Sequence, residues 1–131
     1  MTEKVLIVED DPRNMRLLEM TLGGKGYTLV KATSGEEALG IAEKEQPDLI
    51  LMDVQLPKMN GLEATGKLRQ NPAFAHTPII GLTAYAMKGD KEKVIKAGCD
   101  AYLSKPINTR ELPGVIAGML RERQKNNPED K

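Results

Sequence analysis

The sequence predicts an α/β domain built on a doubly wound, five-stranded parallel sheet. Three observations carry that reading. The runs Val5–Val8, Leu49–Met52 and Pro78–Leu82 contain no charged residue and no period-two alternation. They read as strands hidden on both faces, which belong to parallel sheets covered by helices on each side. Helix-like segments separate the apolar runs along the whole chain, giving five strands and five helices. The chain has 131 residues, enough for one domain with one core.

Each element has its own warrant. The first strand, Val5-Leu6-Ile7-Val8, ends at Glu9-Asp10. In the first helix Met15, Leu18 and Leu22 share one face, with Leu17 beside them. Asp11 suits its N-cap, Pro12 its first helical position, and Gly23-Gly24 its stop. Thr28–Ala32 is a weaker strand that fits an edge. Ser34-Gly35-Glu36-Glu37 is a capping box for the second helix, which stops before Pro47. The third strand ends at Asp53. Pro57 and Asn60-Gly61 supply turn chemistry after it. A third helix over Gly61 to Arg69 turns Leu62, Thr65 and Leu68 inward. The fourth strand ends at Thr83.

The fourth helix, Asp90 to Ala97, is highly charged and stops at Gly98. Its run Lys88 to Lys96 is a solvated face that could also meet a partner. The short fifth strand, Ala101–Leu103, lies near an edge and is followed, after Ser104, by Lys105-Pro106. The fifth helix should occupy Arg110 to Glu122. Pro113, Gly114 and Gly118 weaken it and predict a late start or a loose first turn. The polar segment Gln124–Lys131 reads as a disordered tail, so the domain is expected over residues 1–123 and the tail over 124–131.

Composition excludes several classes of function. Nineteen basic residues balance nineteen acidic ones, which leaves no broad electrostatic footprint for nucleic acid. With no Trp, one Phe and three Tyr, base stacking has few platforms. No apolar run is long enough to span a bilayer, and no charged-then-apolar leader opens the chain. Cys99 is the only cysteine, so an internal disulfide is impossible and a reducing compartment fits. These features predict a soluble cytoplasmic domain with neither nucleic-acid binding nor membrane insertion.

The polar residues then matter by position. In a parallel sheet all strands point one way, so Glu9, Asp10, Asp53, Thr83 and Lys105 share the carboxyl edge. Ligands bind there, at the point where strand order reverses. Glu9, Asp10 and Asp53 should converge, with Thr83 and Lys105 on the far side. Three converging carboxylates repel one another, and one would take a proton unless a cation intervened. Mg²⁺ is a hard ion that takes oxygen ligands and suits such a site. A carboxylate such as Asp53 can act as a nucleophile toward phosphorus. Lys105 would add positive charge and Thr83 a hydrogen bond to a phosphoryl oxygen. Each residue alone has a plainer reading: a solvated strand end, a turn residue, a β-former, a surface lysine. Their register in the sheet is what lifts them. His76 reads as a surface residue, Cys99 as a small buried hydrophobe, and the methionines as packing.

The pieces VLIVEDD, PDLILMDVQLPKMNGLE, PIIGLTAYA and AGCDAYLSKPI resemble the receiver domains of two-component response regulators, over roughly residues 3 to 123. The wording is most similar to the single-domain, DivK-like members. The resemblance implies a flavodoxin-like (βα)5 fold with strand order 2-1-3-4-5. It implies that Asp53 is the phosphoacceptor. Mg²⁺, or Mn²⁺ as a substitute, would be bound by Asp10, Asp53 and the backbone carbonyl of Gln55, with Glu9 acting directly or through water. It further implies that Thr83 and Lys105 contact the phosphoryl group, that Lys105-Pro106 is cis, and that Tyr102 is a switching aromatic. Tyr102 also reads as simple core packing. Gln55 and Tyr85, two residues beyond Asp53 and Thr83, would influence access of hydrolytic water. Glu9 departs from the Asp often found first in the acid pair.

The function this implies is a phosphorylation-dependent switch without an output domain. It would accept phosphoryl groups from a sensor histidine kinase or a histidine phosphotransfer protein. It would change binding of a downstream protein target through the face made by helix four, strand five and helix five. Such a protein is a regulator and not an enzyme in the usual sense, although it assists its own phosphorylation and dephosphorylation. A relay intermediate and a phosphorylation-independent binding domain are the alternatives. A haloacid-dehalogenase-like phosphatase needs a second acid where this chain has Gln55. A flavin module needs a Ser/Thr/Gly-rich loop where this chain has Glu9-Asp10-Asp11.

Overall fold

The computed structural model describes residues 2–56, 58–84 and 90–125. Pro57, Tyr85, Lys88 and the tail beyond Lys125 lie outside the described residues, so the expectations placed on them are not addressed. In chain order the elements are β1 (Lys4–Val8), α1 (Pro12–Leu22), β2 (Thr28–Ala32), α2 (Gly35–Glu45), β3 (Leu49–Asp53), α3 (Gly61–Gln70), a 3-10 turn (Pro72–Phe74), β4 (Ile79–Thr83), α4 (Asp90–Lys96), β5 (Ala101–Ser104) and α5 (Leu112–Lys125).

All strand pairs are parallel and the sheet order is β2-β1-β3-β4-β5. The expected flavodoxin-like winding is therefore present. Every residue of β3 and β4 is buried, as strands covered on both faces require. β2 and β5 are partly exposed because each has only one neighbour. The alternation of side chains splits the core into two layers. Leu6, Val8, Ile50, Met52 and Ile79 pack with Ala38, Ala42, Ala64, Leu68 and Val94 from α2, α3 and α4. Val5, Ile7, Leu49, Leu51, Ile80 and Leu82 pack with Met15, Leu18, Leu22, Leu112, Ile116 and Leu120 from α1 and α5.

The helix termini follow the local chemistry. Asp11 Oδ1 accepts from Arg13 N at 2.9 Å at the start of α1, with Pro12 following. Ser34 Oγ accepts from Glu37 N at 3.1 Å, while Glu37 Oε1 accepts from Thr33 N at 2.9 Å. The reciprocal half of that capping box thus reaches one residue further back than the cap itself. In α3 the buried positions are Gly61, Ala64, Thr65 and Leu68, whereas Leu62 is only half-buried. The inward face is thus centred on Ala64 as well as Thr65. α5 starts late, at Leu112, with Asn108 Oδ1 accepting from Arg110 N and Glu111 N, both at 3.0 Å. Its far end runs to Lys125, past the boundary expected after residue 123.

Candidate functional site: an acidic cleft at the carboxyl edge

β1 and β3 are neighbours at the point where strand order reverses, with Val8 opposite Met52. The residues that follow, Glu9 and Asp53, therefore emerge side by side. Both are almost fully buried, whereas Asp10 is exposed at the mouth. Glu9, Asp10 and Asp53 each offer a carboxylate oxygen, and these atoms all lie within 4.8 Å of one another. The three acids converge as their register predicts.

Lys105 is closer to them than expected. It does not sit across the site. Its Nζ lies between the acids, 2.9 Å from Glu9 Oε1 and 3.0 Å from Asp53 Oδ2. The other oxygen of each acid accepts from a backbone amide: Glu9 Oε2 from Asp11 N at 3.1 Å, and Asp53 Oδ1 from Gln55 N at 2.9 Å. One lysine and two amides thus fix both carboxylates. Lys105 N donates to Thr83 O at 2.7 Å, which seats it against β4, and its peptide bond to Pro106 is cis.

The charges are only partly balanced. Burial, then the neighbouring Asp53 carboxylate, raises the Glu9 carboxyl above its ordinary value, against the opposing effects of the Asp11 amide and Lys105. For Lys105 burial is the largest influence and acts downward, but the combined bonds and charges of Glu9 and Asp53 outweigh it and hold the ammonium above its ordinary value. Among the described residues, three carboxylates face one ammonium here. A compact set of hard oxygen donors carrying surplus negative charge fits Mg²⁺ well.

Thr83 is buried at the end of β4 and is reached by Gln55. Gln55 Nε2 donates to Thr83 Oγ1 at 2.6 Å, and Gln55 Oε1 accepts from Ala84 N at 3.0 Å. Sequence reasoning gave Gln55 a carbonyl ligand and a water-shielding role and missed this side-chain bridge. The signal was there: Gln55 and Thr83 leave the ends of adjacent strands. It also missed how closely α3 approaches the site. A side chain at Gly61 would strike the backbone of Asp53 and Val54, and Gly61 N donates to Val54 O at 3.0 Å. Tyr102 is half-buried on β5 opposite Gly81 and packs on the layer that includes Val94 of α4. His76 is exposed and Cys99 is buried, as expected.

Comparison with known proteins agrees with this geometry. Residues 5–117 match the family model described as the response regulator receiver domain. The chain is 48% identical over 120 residues to the polar-differentiation response regulator DivK of Brucella ovis, covering 92% of this chain and 98% of that protein. It resembles the chemotaxis response regulator CheY4 of Vibrio cholerae, with a TM-score of 0.85, 31% identity, and 91% of this chain and 99% of that one covered. It also resembles the receiver domain of the sensor histidine kinase PA1611 from Pseudomonas aeruginosa PAO1, with a TM-score of 0.85, 36% identity, and 92% and 99% covered. That structure has a magnesium ion coordinated in its active-site cleft. No helix among the described residues is long and apolar enough to cross a membrane. With fold, acidic cleft and sequence in agreement, the chain belongs to the response regulator receiver domain family, whose members act as phosphorylation-dependent switches of two-component signalling.

Proposed function

We propose that Asp53 is the phosphoacceptor of this switch and that Glu9, Asp10, Thr83 and Lys105 are its working partners. The observation that carries this is the fixed pose of Asp53: buried, with one oxygen on Gln55 N and the other on Lys105 Nζ. A carboxylate held at both oxygens has already lost the rotational freedom that attack on phosphorus would otherwise cost. One Asp53 oxygen forms the new O–P bond while the bond from phosphorus to the donor breaks. With a phosphohistidine donor, the bond electrons leave on the imidazole.

Asp10, Asp53 and the carbonyl of Gln55, with Glu9 directly or through water, would hold Mg²⁺ or its substitute Mn²⁺, which would supply charge that screens the incoming phosphoryl oxygens from the carboxylates. Lys105 then turns from Asp53 Oδ2 to the phosphoryl group, keeping its bond to Glu9. Thr83 donates its hydroxyl to another phosphoryl oxygen. Tyr102 follows into the space Thr83 leaves, and the face of α4, β5 and α5 changes its fit to a downstream protein. Gln55 stands where its side chain limits hydrolytic water and so helps set the lifetime of the phosphorylated form. The phosphoryl donor is a sensor histidine kinase or a histidine phosphotransfer protein. The working unit runs to the end of α5 at Lys125 and acts in the cytoplasm, which a buried Cys99 with no second cysteine to pair with supports.

Incubation with acetyl phosphate and Mg²⁺, followed by intact mass measurement, tests the assignment. One phosphoryl group should be added, none with EDTA, and none in Asp53→Asn. An adduct that persists in Asp53→Asn would place the site elsewhere.

A further inference from the structure

We infer that the Gln55 side chain is a latch that holds Thr83, and the chain leaving β4, in the resting position. This rests on reading Thr83 as the hydroxyl that contacts the phosphoryl group. The argument begins with the amide. Ala84 N–H can only donate, so the Gln55 atom facing it, 3.0 Å away, must be Oε1. Nε2 is then forced toward Thr83 Oγ1, at 2.6 Å, where it can only donate. The two contacts fix the orientation of the amide without further assumption. The Thr83 oxygen is therefore an acceptor in this bond, and its own proton points elsewhere.

Gln55 thereby joins three parts of the switch. Its backbone N–H holds Asp53 Oδ1 at 2.9 Å. Its side chain holds the Thr83 hydroxyl and the backbone amide just after it. Thr83 O in turn accepts from Lys105 N, and Thr83 lies opposite Ser104 on β5. Displacing Thr83 toward Asp53 pulls its oxygen away from Nε2 and carries Ala84 away from Oε1. A phosphoryl group must therefore break the latch to engage Thr83. The amide bonds stabilise the resting state and reduce the population of the switched one when Asp53 is unmodified. This differs from shielding the site from water, which needs only the bulk of the side chain.

The test separates bonding from bulk. Gln55→Met keeps the length of the side chain and loses both bonds, while Gln55→Ala loses both bulk and bonds. Beryllofluoride, a tetrahedral mimic of the phosphoryl group, is titrated in the presence of Mg²⁺. Amide spectra of the metal-free proteins are recorded alongside. Gln55→Met and Gln55→Ala should both bind beryllofluoride more tightly, by roughly fivefold or more, since each loses two bonds of ordinary net strength. In metal-free Gln55→Met, the resonances of Leu82, Leu103 and Ser104 should move along the line from the resting to the beryllofluoride-bound positions of the wild type. In a Thr83→Ala background only the bond to Ala84 N is left to lose, so the gain from Gln55→Met should shrink.

The latch is overturned if Gln55→Met keeps wild-type affinity and resting resonances, or if only Gln55→Ala binds more tightly. It is also overturned if the gain is undiminished in Thr83→Ala, because Gln55 would then act without holding the threonine. Thr83→Ala with undiminished beryllofluoride affinity would instead sink the phosphoryl-contact reading itself, and the latch with it. That last result is read from a single variant and is distinct from the others.

Discussion

At the scale of single residues, the site is an exchange of charge around Lys105. Its ammonium is mostly buried and is shared by Glu9 and Asp53, which are more buried still. Breaking a buried ion pair by removing one partner costs more than the pair itself contributes, because the other charge is left without compensation. Lys105→Met would leave two buried carboxylates beside the exposed Asp10. Glu9, already held above its ordinary pKa by burial and by Asp53, can take a proton and limit the loss. We expect Lys105→Met to lower the stability of the metal-free protein by about 2–3 kcal/mol, below the full cost of an isolated buried pair. Millimolar Mg²⁺ should restore most of that difference, because a divalent ion supplies the missing charge. Urea midpoints in EDTA and in Mg²⁺ measure both effects. A variant as stable as the wild type in EDTA would mean that Lys105 does not compensate the acids.

At the scale of elements, α3 shows how a helix start can be both scaffold and site. Asn60 Oδ1 accepts from Glu63 N at 2.9 Å and caps the helix, while Gly61 lies against the backbone of Asp53 and Val54. These neighbours should respond differently to substitution. Asn60→Ala should cost about 1 kcal/mol in stability through the lost cap and leave phosphoryl uptake close to wild type. Gly61→Ala puts a methyl group into the Asp53 carbonyl, so the backbone that carries Asp53 or the start of α3 must shift. Its uptake of phosphoryl groups from acetyl phosphate should fall by about tenfold, since small displacements of a reacting group are costly. Equal uptake in the two variants would show that the contact does not position Asp53. The cap was readable in the sequence because Asn60-Gly61 is local chemistry. The reach of Gly61 was not, because it depends on where a second chain segment runs. The same division separates Lys105 and Gln55. Their places at strand ends followed from the order of elements. Their side-chain partners, between the acids and across to Thr83, depended on distances that register alone does not set. The late start of α5 was legible because Pro113 and Gly114 weaken its first turn. Its extension to Lys125 was not, because that polar end carries no stop signal before Asn126.

At the scale of the whole molecule, the sheet does two separable jobs. Its strands fill two hydrophobic layers, and their ends present the polar groups. Leu51 belongs wholly to the first job: it is fully buried mid-strand in β3, between Ile7 and Ile80, in the layer under α1 and α5. Glu9, Asp53 and Thr83 are held by backbone ladders that do not pass through its side chain. Asp48 N donates to Lys4 O at 2.7 Å and Val54 N to Leu82 O at 2.8 Å, which anchors both ends of β3. Leu51→Ala should therefore cost about 3 kcal/mol, the usual loss for such a cavity. Receiver-sized domains have only some 5–15 kcal/mol in hand, so the urea midpoint should fall sharply. The folded fraction should nonetheless bind Mg²⁺ with nearly wild-type affinity, because the strand ends keep their register. Calorimetric titration well below the midpoint checks this. A loss of Mg²⁺ affinity in step with the loss of stability would show that core packing, and not the ladder alone, sets the spacing of the carboxylates.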